Sequence, residues 1–322
     1  MSAAQELVGR SVAVEAPATI ANLGAGYDTL GLAVDLALRV TIEARARTDG
    51  PTNGVELKAH GEGAGELATT RSNRLVVSLE AGLAELGVED SDSIAWRISL
   101  TNPIPLERGL GSSAAATVAG LVAAWGLAGV ELDRSAALRL ATQIEGHPDN
   151  VAPGLFGGLT ASIALEDRVE TVRLDPPADV AILAWIPERR LATSEMRRVL
   201  PDSVPRADAI ANLARVAVGV AGLASGRSNV LALLTEDRLH EPYRAAAYPE
   251  LPLLIAAARA AGAIGACLAG AGSTVIAFVP EDSSQIIAAV GRALRTEATR
   301  LHLPGRLVRL APQPDGARVI TT

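Results

Sequence analysis

Between Gly109 and Ala116 the chain reads Gly-Leu-Gly-Ser-Ser-Ala-Ala-Ala: two glycines, two hydroxyls and the start of an alanine-rich run. Glycine tolerates left-handed backbone and lets another group approach the main chain closely. A helix beginning here offers unsatisfied N–H groups and a positive dipole end, which together favour an anion such as a phosphate. Ser112 and Ser113 add hydroxyls suited to a phosphate oxygen or a metal ion. An N-capping serine after an ordinary glycine turn gives the same letters, so other segments must decide.

Three further segments hold polar groups where chemistry is plausible. In Glu145-Gly-His-Pro-Asp-Asn150, Gly146 is the natural stop for a helix over 134–145 capped by Asp133. That leaves Glu145 in the last turn, where a negative charge is unfavourable by about 0.3–1 kcal/mol. A cation would offset it, and Mg²⁺ on nucleotide phosphates is one such cation; an arginine neighbour is the plainer alternative. His147 also fits a hydrogen-bonded structural role, and Asp149 or Asn150 also fits the cap of a short helix over 151–156. In Pro17-Ala-Thr-Ile-Ala-Asn-Leu-Gly-Ala-Gly-Tyr-Asp28, Asn22 and Asp28 stand in a glycine-containing loop directly after an apolar strand. Binding residues are often placed there, although turns favour the same residue types. Leu268-Ala-Gly-Ala-Gly-Ser-Thr-Val275 is a small-residue loop that lets two backbones or a ligand come close.

Composition narrows the chemistry. Lys58 is the only lysine and lies in GVELKAHGEG, outside the contexts in which P-loop NTPases and protein kinases place theirs. Basic work therefore falls to arginine. Cys267 stands alone, so no intrachain disulfide or C-x-x-C motif exists, and it reads as a small buried apolar residue. No His pair has metal-ligand spacing, which leaves no zinc motif. The balance of 29 basic and 36 acidic residues gives −7, and aromatics are 2%. Such a chain is poorly equipped to neutralise a phosphate backbone or stack bases, so no nucleic-acid partner is expected. The uncharged run from Gly109 to Val130 reaches membrane-spanning length but is rich in Ala, Gly, Ser and Thr, so it reads as a buried helix. With no secretory signal visible at the N-terminus, a cytoplasmic protein without a membrane partner is expected.

These segments need elements to hold them. At 322 residues the chain suits one large domain or two ordinary ones. Strands are expected over 12–16, 34–44, 94–100, 159–164, 168–174, 180–186, 273–279 and 306–310. Helices are expected over 74–86, 114–127, 134–145, 207–224, 229–234, 252–261 and 284–294. Asp175-Pro-Pro marks the expected boundary between a domain over 1–174 and a compact α+β domain over 175–322.

The four motifs, in this order, resemble the GHMP kinase superfamily from Pro17 to Thr274. PATIANLGAGYDTLGLAV and EGHPDNVAPGLFGGL are similar to its homoserine kinase family, as are the arginine contexts Thr193–Pro201 and Asp237–Arg244. The resemblance implies an α+β fold of two domains: a first like ribosomal protein S5 domain 2, which binds ATP, and a ferredoxin-like second. It implies transfer of the ATP γ-phosphoryl to the side-chain hydroxyl of L-homoserine, a step of threonine biosynthesis, in an enzyme that is often a homodimer. By motif position, Pro103, Arg108, Gly109, Leu110, Gly111, Ser112, Ser113, Ala114 and Ala115 would hold ATP, and Ser113 and Glu145 would ligate Mg²⁺. Asn22, Asp28, His147, Asn150, Arg197 and Arg244 would surround homoserine, with Asn22, Asn150 and Arg197 closest to the chemistry. A zwitterion with a hydroxyl needs an anion, a cation and neutral hydrogen bonders; Asp28 supplies the first, and arginine supplies the second with a bidentate fork. No strong general base is expected, because phosphoryl transfer is mainly positioning and charge neutralisation.

Three departures accompany the resemblance: first, the turn before the phosphate loop reads IPLERGLGSS, with Glu107 and Arg108 in place of smaller residues, Arg108 suited to neutralise phosphate and Glu107 opposing it. LGAGYD stands where LGPGFD is usual, keeping Asn22 and Asp28. AGAGST stands where SGAGPT is usual, losing a hydroxyl at Ala269 and a rigid proline at Ser273. The alternatives are another small-molecule kinase of the superfamily, acting on a substrate such as mevalonate or shikimate without an amino group, or a non-catalytic nucleotide-binding relative. The second would be expected to lose Ser113 and Glu145, and both are present.

Overall fold

The structure is a computed structural model that describes residues 3–47 and 54–321. Among the described residues eleven strands run in chain order: β1 (Ser11–Ala21), β2 (Leu30–Ala46), β3 (Val55–Gly61), β4 (Ile94–Asn102), β5 (Leu159–Ala164), β6 (Val169–Leu174), β7 (Val180–Pro187), β8 (Gly265–Leu268), β9 (Val275–Pro280), β10 (Gly305–Leu310) and β11 (Arg318–Ile320). Seven of them form one sheet, ordered β11-β1-β2-β4-β3, with β5 paired to the start of β2 and β6 to β5. The other four form a second sheet, ordered β10-β7-β9-β8 and antiparallel throughout.

Alternation dictates the faces. In β4, Ile94, Trp96, Ile98 and Leu100 are buried while Arg97, Ser99 and Thr101 face solvent, the period-two pattern of a half-covered sheet. Helix Ser112–Ala128 packs on β1 and β2 and is flanked by helices Arg74–Glu85 and Arg134–Glu145. It is apolar all round, and most of its residues are buried, as a central core helix must be. In the second domain, helices Leu251–Ala260 and Ser284–Arg300 cover one face of the sheet. Its other face, through Ile182, Ala184, Ile276 and Phe278, joins the first core.

The expected elements are present with shifted ends. β1 continues to Ala21, through Pro17, where its register with β2 shifts. The chain expected as a loop from Pro17 is therefore strand for five residues, and the turn begins only at Asn22. The central helix starts at Ser112 rather than Ala114, so both serines fall inside its first turn. Strand β9 starts at Val275, leaving Ser273 and Thr274 in the loop. Strands β3, β8 and β11 were absent from the sequence reading. β8 is four small or apolar residues, Gly-Ala-Cys-Leu, too short to show a period. Lys58 lies exposed on β3, and Cys267 is buried in β8. After β10 the chain does not end in the second domain. Gln313 donates its N–H to Ala33 O at 2.9 Å, and β11 pairs antiparallel with β1 in the first sheet.

Helix Arg206–Ala224 is, among the described residues, the one helix long and apolar enough to cross a membrane. It packs one face through Asn212, Gly219 and Gly222 and exposes Ile210, Leu213 and Val218.

Candidate active site

A cavity of about 590 Å³ lies between the two domains, floored by the start of helix Ser112–Ala128. The loop before that helix can only be built with glycine. Gly109 has φ +78°, and a Cβ there would lie 1.9 Å from Ala269 O. Gly111 has φ +70°, and a Cβ there would lie 2.1 Å from Thr19 Oγ1. The Leu268–Val275 loop thus meets the Gly109 loop backbone to backbone. Buried Asn102 braces the same turn, donating from Nδ2 to Ser112 Oγ at 3.2 Å and to Ile104 O at 3.2 Å, while its Oδ1 accepts from Ile104 N–H at 3.0 Å. Within the helix the first closed bond is Ala115 N–H to Gly111 O at 2.8 Å. The N–H groups of Ser112, Ser113 and Ala114 have no partner in the helix and stand at the cavity floor. That is an anion cradle with a dipole behind it.

Beside the cradle sits Glu145, where an acidic residue in the last turn of a helix needs offsetting. Ser113 Oγ donates to it at 2.9 Å, Thr117 Oγ1 at 2.7 Å, and Arg74 Nε lies 3.6 Å away. Ser113 Oγ and the Glu145 carboxylate are hard oxygen donors side by side, the set that suits Mg²⁺.

The opposite end of the cavity is charged. Asn22, Leu23 and Asp28 all have left-handed backbone (φ 73°, 50° and 54°). Non-glycine residues hold that conformation at a cost of about 1–3 kcal/mol each unless their surroundings impose it. Here Asn22 Oδ1 accepts from Asp28 N–H at 3.0 Å, and its Nδ2 donates to Gly270 O at 3.1 Å. The Asp28 carboxylate faces Arg197, which donates Nη2 to Oδ1 at 2.7 Å and Nη1 to Oδ2 at 3.0 Å. Burial opposes the Arg197 charge, but Asp28 outweighs it and raises the guanidinium pKa. Arg244 is buried, donating Nε to Met196 O at 3.3 Å and Nη1 to Gly270 O at 2.8 Å. Burial, with Arg197 nearby, lowers its pKa, although it stays cationic. Its Nη2 has no hydrogen bond among the described residues, and Arg244 lines the cavity.

His147 Nδ1 is hydrogen-bonded to buried Asp149. Burial would lower the His147 pKa, but the Asp149 carboxylate more than reverses this and raises it. Asp28, His147 and Asp149 place one donor atom each within 4.8 Å of one another. Two carboxylates so close make a site for a small cation such as an ammonium. Asn150 accepts the Thr19 hydroxyl at 2.9 Å.

Of the residues expected from the sequence, Asn22, Asp28, Arg108, Gly109, Leu110, Gly111, Ser112, Ser113, Ala114, Glu145, His147, Asn150, Arg197 and Arg244 line this one cavity. Pro103 and Ala115 do not; Ala115 has given its N–H to the helix. The Arg108 side chain is committed elsewhere, donating to Pro187 O at 2.8 Å, Leu106 O at 2.8 Å and Glu188 O at 2.7 Å. It ties the phosphate-type loop to the end of β7. The sequence reading missed Thr19, Asn102, Arg74, Thr117, Arg190 and Thr193. Arg74, Asn102, Arg190 and Thr193 line the cavity, while Thr19 and Thr117 stand behind it, bonded to Asn150 and Glu145; tertiary packing rather than a local pattern brings each to its place. Ser72, Asn73, Arg74 and Leu75 also line the cavity.

Comparison with known proteins gives the same reading. The family model "GHMP kinases N terminal domain" matches residues 74–158, and "GHMP kinases C terminal" matches residues 220–296. The homoserine kinase of Carboxydothermus hydrogenoformans is 36% identical over 307 residues, 95% of this chain and 96% of that protein. The homoserine kinase of Clavibacter michiganensis is 42% identical over 283 residues, 87% of this chain and 86% of that protein. The crystal structure of homoserine kinase from Cytophaga hutchinsonii superposes with TM-score 0.83 and 30% identity, covering 96% of this chain and 97% of that one. An anion cradle facing a carboxylate and two arginines, on a fold and sequence shared across nearly the whole chain, puts this protein in the homoserine kinase family of the GHMP kinases.

Proposed function

We propose that this chain transfers the γ-phosphoryl of ATP to the side-chain hydroxyl of L-homoserine, giving ADP and O-phospho-L-homoserine in threonine biosynthesis. The observation that carries the reading is one cavity with an anion cradle at one end and paired opposite charges, Asp28 with Arg197, at the other. The new bond forms between the homoserine oxygen and γ-phosphorus, the bond from γ-phosphorus to the ADP oxygen breaks, and the hydroxyl proton leaves to solvent.

The residues divide this work by charge. The N–H groups of Ser112, Ser113 and Ala114, with the loop from Gly109 to Gly111, hold the phosphates. Ser113 and Glu145 would hold Mg²⁺, whose chemistry is to neutralise the phosphate oxygens during transfer. The homoserine ammonium is assigned to Asp28, beside His147 and Asp149. Its carboxylate is assigned to Arg197 and to the unused Nη2 of Arg244. Asn22 and Asn150 are assigned the hydroxyl, oriented toward the cradle. Holding two reactants in line supplies about 7–11 kcal/mol in favourable cases, which removes the need for a strong base.

Asp28 and Arg197 neutralise each other as an ion pair. A zwitterion can replace that pair charge for charge, whereas a ligand with one charge leaves a partner unmatched. Arg108 is assigned the bracing of the loop rather than a phosphate contact. The division near residue 175, with 1–174 binding ATP and 175–322 completing the homoserine end, is part of this reading, as are a cytoplasmic homodimer and the absence of nucleic-acid and membrane partners. A coupled ADP-release assay with MgATP and L-homoserine tests the reaction, and size-exclusion chromatography with light scattering tests the dimer.

A further inference from the structure

The loop that carries Asn22 and Asp28 belongs to the first domain, yet its backbone is fixed by the second. Ala25 N–H donates to Leu234 O at 2.9 Å, and Asn212 Nδ2 donates to Ala25 O at 3.1 Å. His240 Nε2 bonds Gly24 O at 2.9 Å. A carbonyl oxygen only accepts, so this contact requires a proton on Nε2. The other nitrogen, Nδ1, then carries a lone pair, and it faces Arg244 Nη1 at 3.0 Å, which can only donate. The Tyr27 ring stacks on His240, with centroids 5.2 Å apart, and the Arg197 and Arg244 guanidinium groups lie 5.7 and 5.5 Å from the same ring. His240 is itself held from below. Asp237 accepts from the N–H groups of Leu239, His240 and Glu241 at 3.0, 2.8 and 2.7 Å, and its Oδ2 lies 3.7 Å from Nε2.

We propose that His240, fully buried and out of the cavity, is a positioning residue for homoserine: its Nε2–H holds the Asn22–Asp28 loop and its Nδ1 lone pair aims Arg244 at the substrate carboxylate. The ring joins the two charged ends of the substrate site, one on each domain. Burial keeps it neutral, in keeping with that tautomer. This inference rests on the homoserine reading above and makes no claim on the ATP end, which His240 does not touch.

The two halves of the role separate by substitution. An asparagine amide oxygen falls near Nδ1, so His240→Asn retains the acceptor for Arg244. A glutamine amide nitrogen falls near Nε2, so His240→Gln retains the donor to Gly24 and loses that acceptor. His240→Leu loses both. Steady-state kinetics should show the homoserine KM of His240→Gln and His240→Leu raised by about tenfold or more, since a misaimed guanidinium forfeits a charge-assisted bond. The KM for MgATP should stay within about twofold, and His240→Asn, which keeps the Arg244 acceptor but not the Gly24 donor, should recover part of the homoserine KM lost in His240→Leu. Equal rises in both KM values, or His240→Asn as impaired as His240→Leu, would overturn the proposal. Failure of the unsubstituted enzyme to turn over L-homoserine would instead overturn the functional reading and this inference with it.

Should the variants not fold, the native protein still decides. It has only four histidines, so ¹⁵N ring spectra are tractable. One ring should show the neutral Nε2–H tautomer from pH 6 to 8, with an Nδ1 shift that moves on adding L-homoserine and not on adding a non-hydrolysable ATP analogue. A protonated ring, the opposite tautomer, or a shift that follows the nucleotide refutes the role.

Discussion

Replacing Asp28 by alanine probes the substrate end with two opposing effects that the structure lets one separate. In the native protein the carboxylate receives Arg197 through bonds of 2.7 and 3.0 Å. The substitution deletes the partner of the homoserine ammonium, and a charge-assisted bond contributes about 1.5–3 kcal/mol net, equivalent to about 10–150-fold in Kd. It also frees Arg197, so the incoming carboxylate no longer has to displace a resident anion, which recovers part of the loss. Side chains here are 36% and 34% exposed, and solvent screening weakens both effects. The expected net loss in homoserine affinity is therefore near the lower bound, about tenfold. Isothermal titration calorimetry with L-homoserine and, separately, with MgATP reads both ends. 4-Hydroxybutyrate, which lacks the ammonium, should bind Asp28→Ala at least as well as the native protein, because only the favourable effect remains. Equal losses for homoserine and MgATP, or a 4-hydroxybutyrate affinity that also collapses, would refute the assignment of Asp28 to the ammonium.

Two further substitutions test other charges. Glu145→Gln should lower kcat by about a hundredfold and raise the Mg²⁺ concentration needed for half-maximal rate, since pre-placed charge stabilisation of this kind is typically of that size; an unchanged Mg²⁺ titration would remove Glu145 from the metal site. Glu241 concerns stability instead. It is half-buried, accepts Leu268 N–H at 2.6 Å, and desolvation pushes its carboxyl up to about 8. In an unfolded chain the same group ionises near about 4.3, so between these values the folded state holds the extra proton and stability falls as pH rises, levelling off above pH 8. His240, pushed down to about 4, has the opposite slope, losing stability as pH falls below its unfolded value, so it is silent above about pH 6.5. Over pH 6.5 to 8 Glu241→Gln should therefore gain about 2 kcal/mol of stability relative to the native chain, read by urea denaturation at several pH values. A constant difference across that range would show that Glu241 is ionised in the fold.

How much of this was legible in the sequence follows from how local each signal is. The Gly109–Ala116 loop is visible because its glycines are demanded by backbone clashes and its helix N-terminus comes from adjacent residues. Asn22, Asp28, Glu145 and Asn150 stand in motifs dense enough to be singled out in the chain itself. Asn102 lines the cavity, and Thr19 and Thr117 hold Asn150 and Glu145 from behind it, only through sheet register and helix packing, which no short window encodes. Arg108 shows the converse: an arginine beside a phosphate-type loop reads as a phosphate ligand, yet three carbonyls of the folded chain take its donors. His240 and Asp237 lie in the quoted Asp237–Arg244 context but drew no role, because their partners Gly24 and Asn212 lie more than two hundred and some twenty-five residues away in sequence, respectively. Strands β8 and β11 escaped for a different reason, being too short to show alternation.

The central claim is that a zwitterion with a hydroxyl is phosphorylated in this cavity. The most direct test is ADP release with MgATP against L-homoserine, D-homoserine, mevalonate and shikimate, side by side. Turnover is expected with L-homoserine alone. Turnover only with mevalonate or shikimate would leave the fold and the phosphate cradle standing but contradict the assignment of Asp28 to a substrate ammonium.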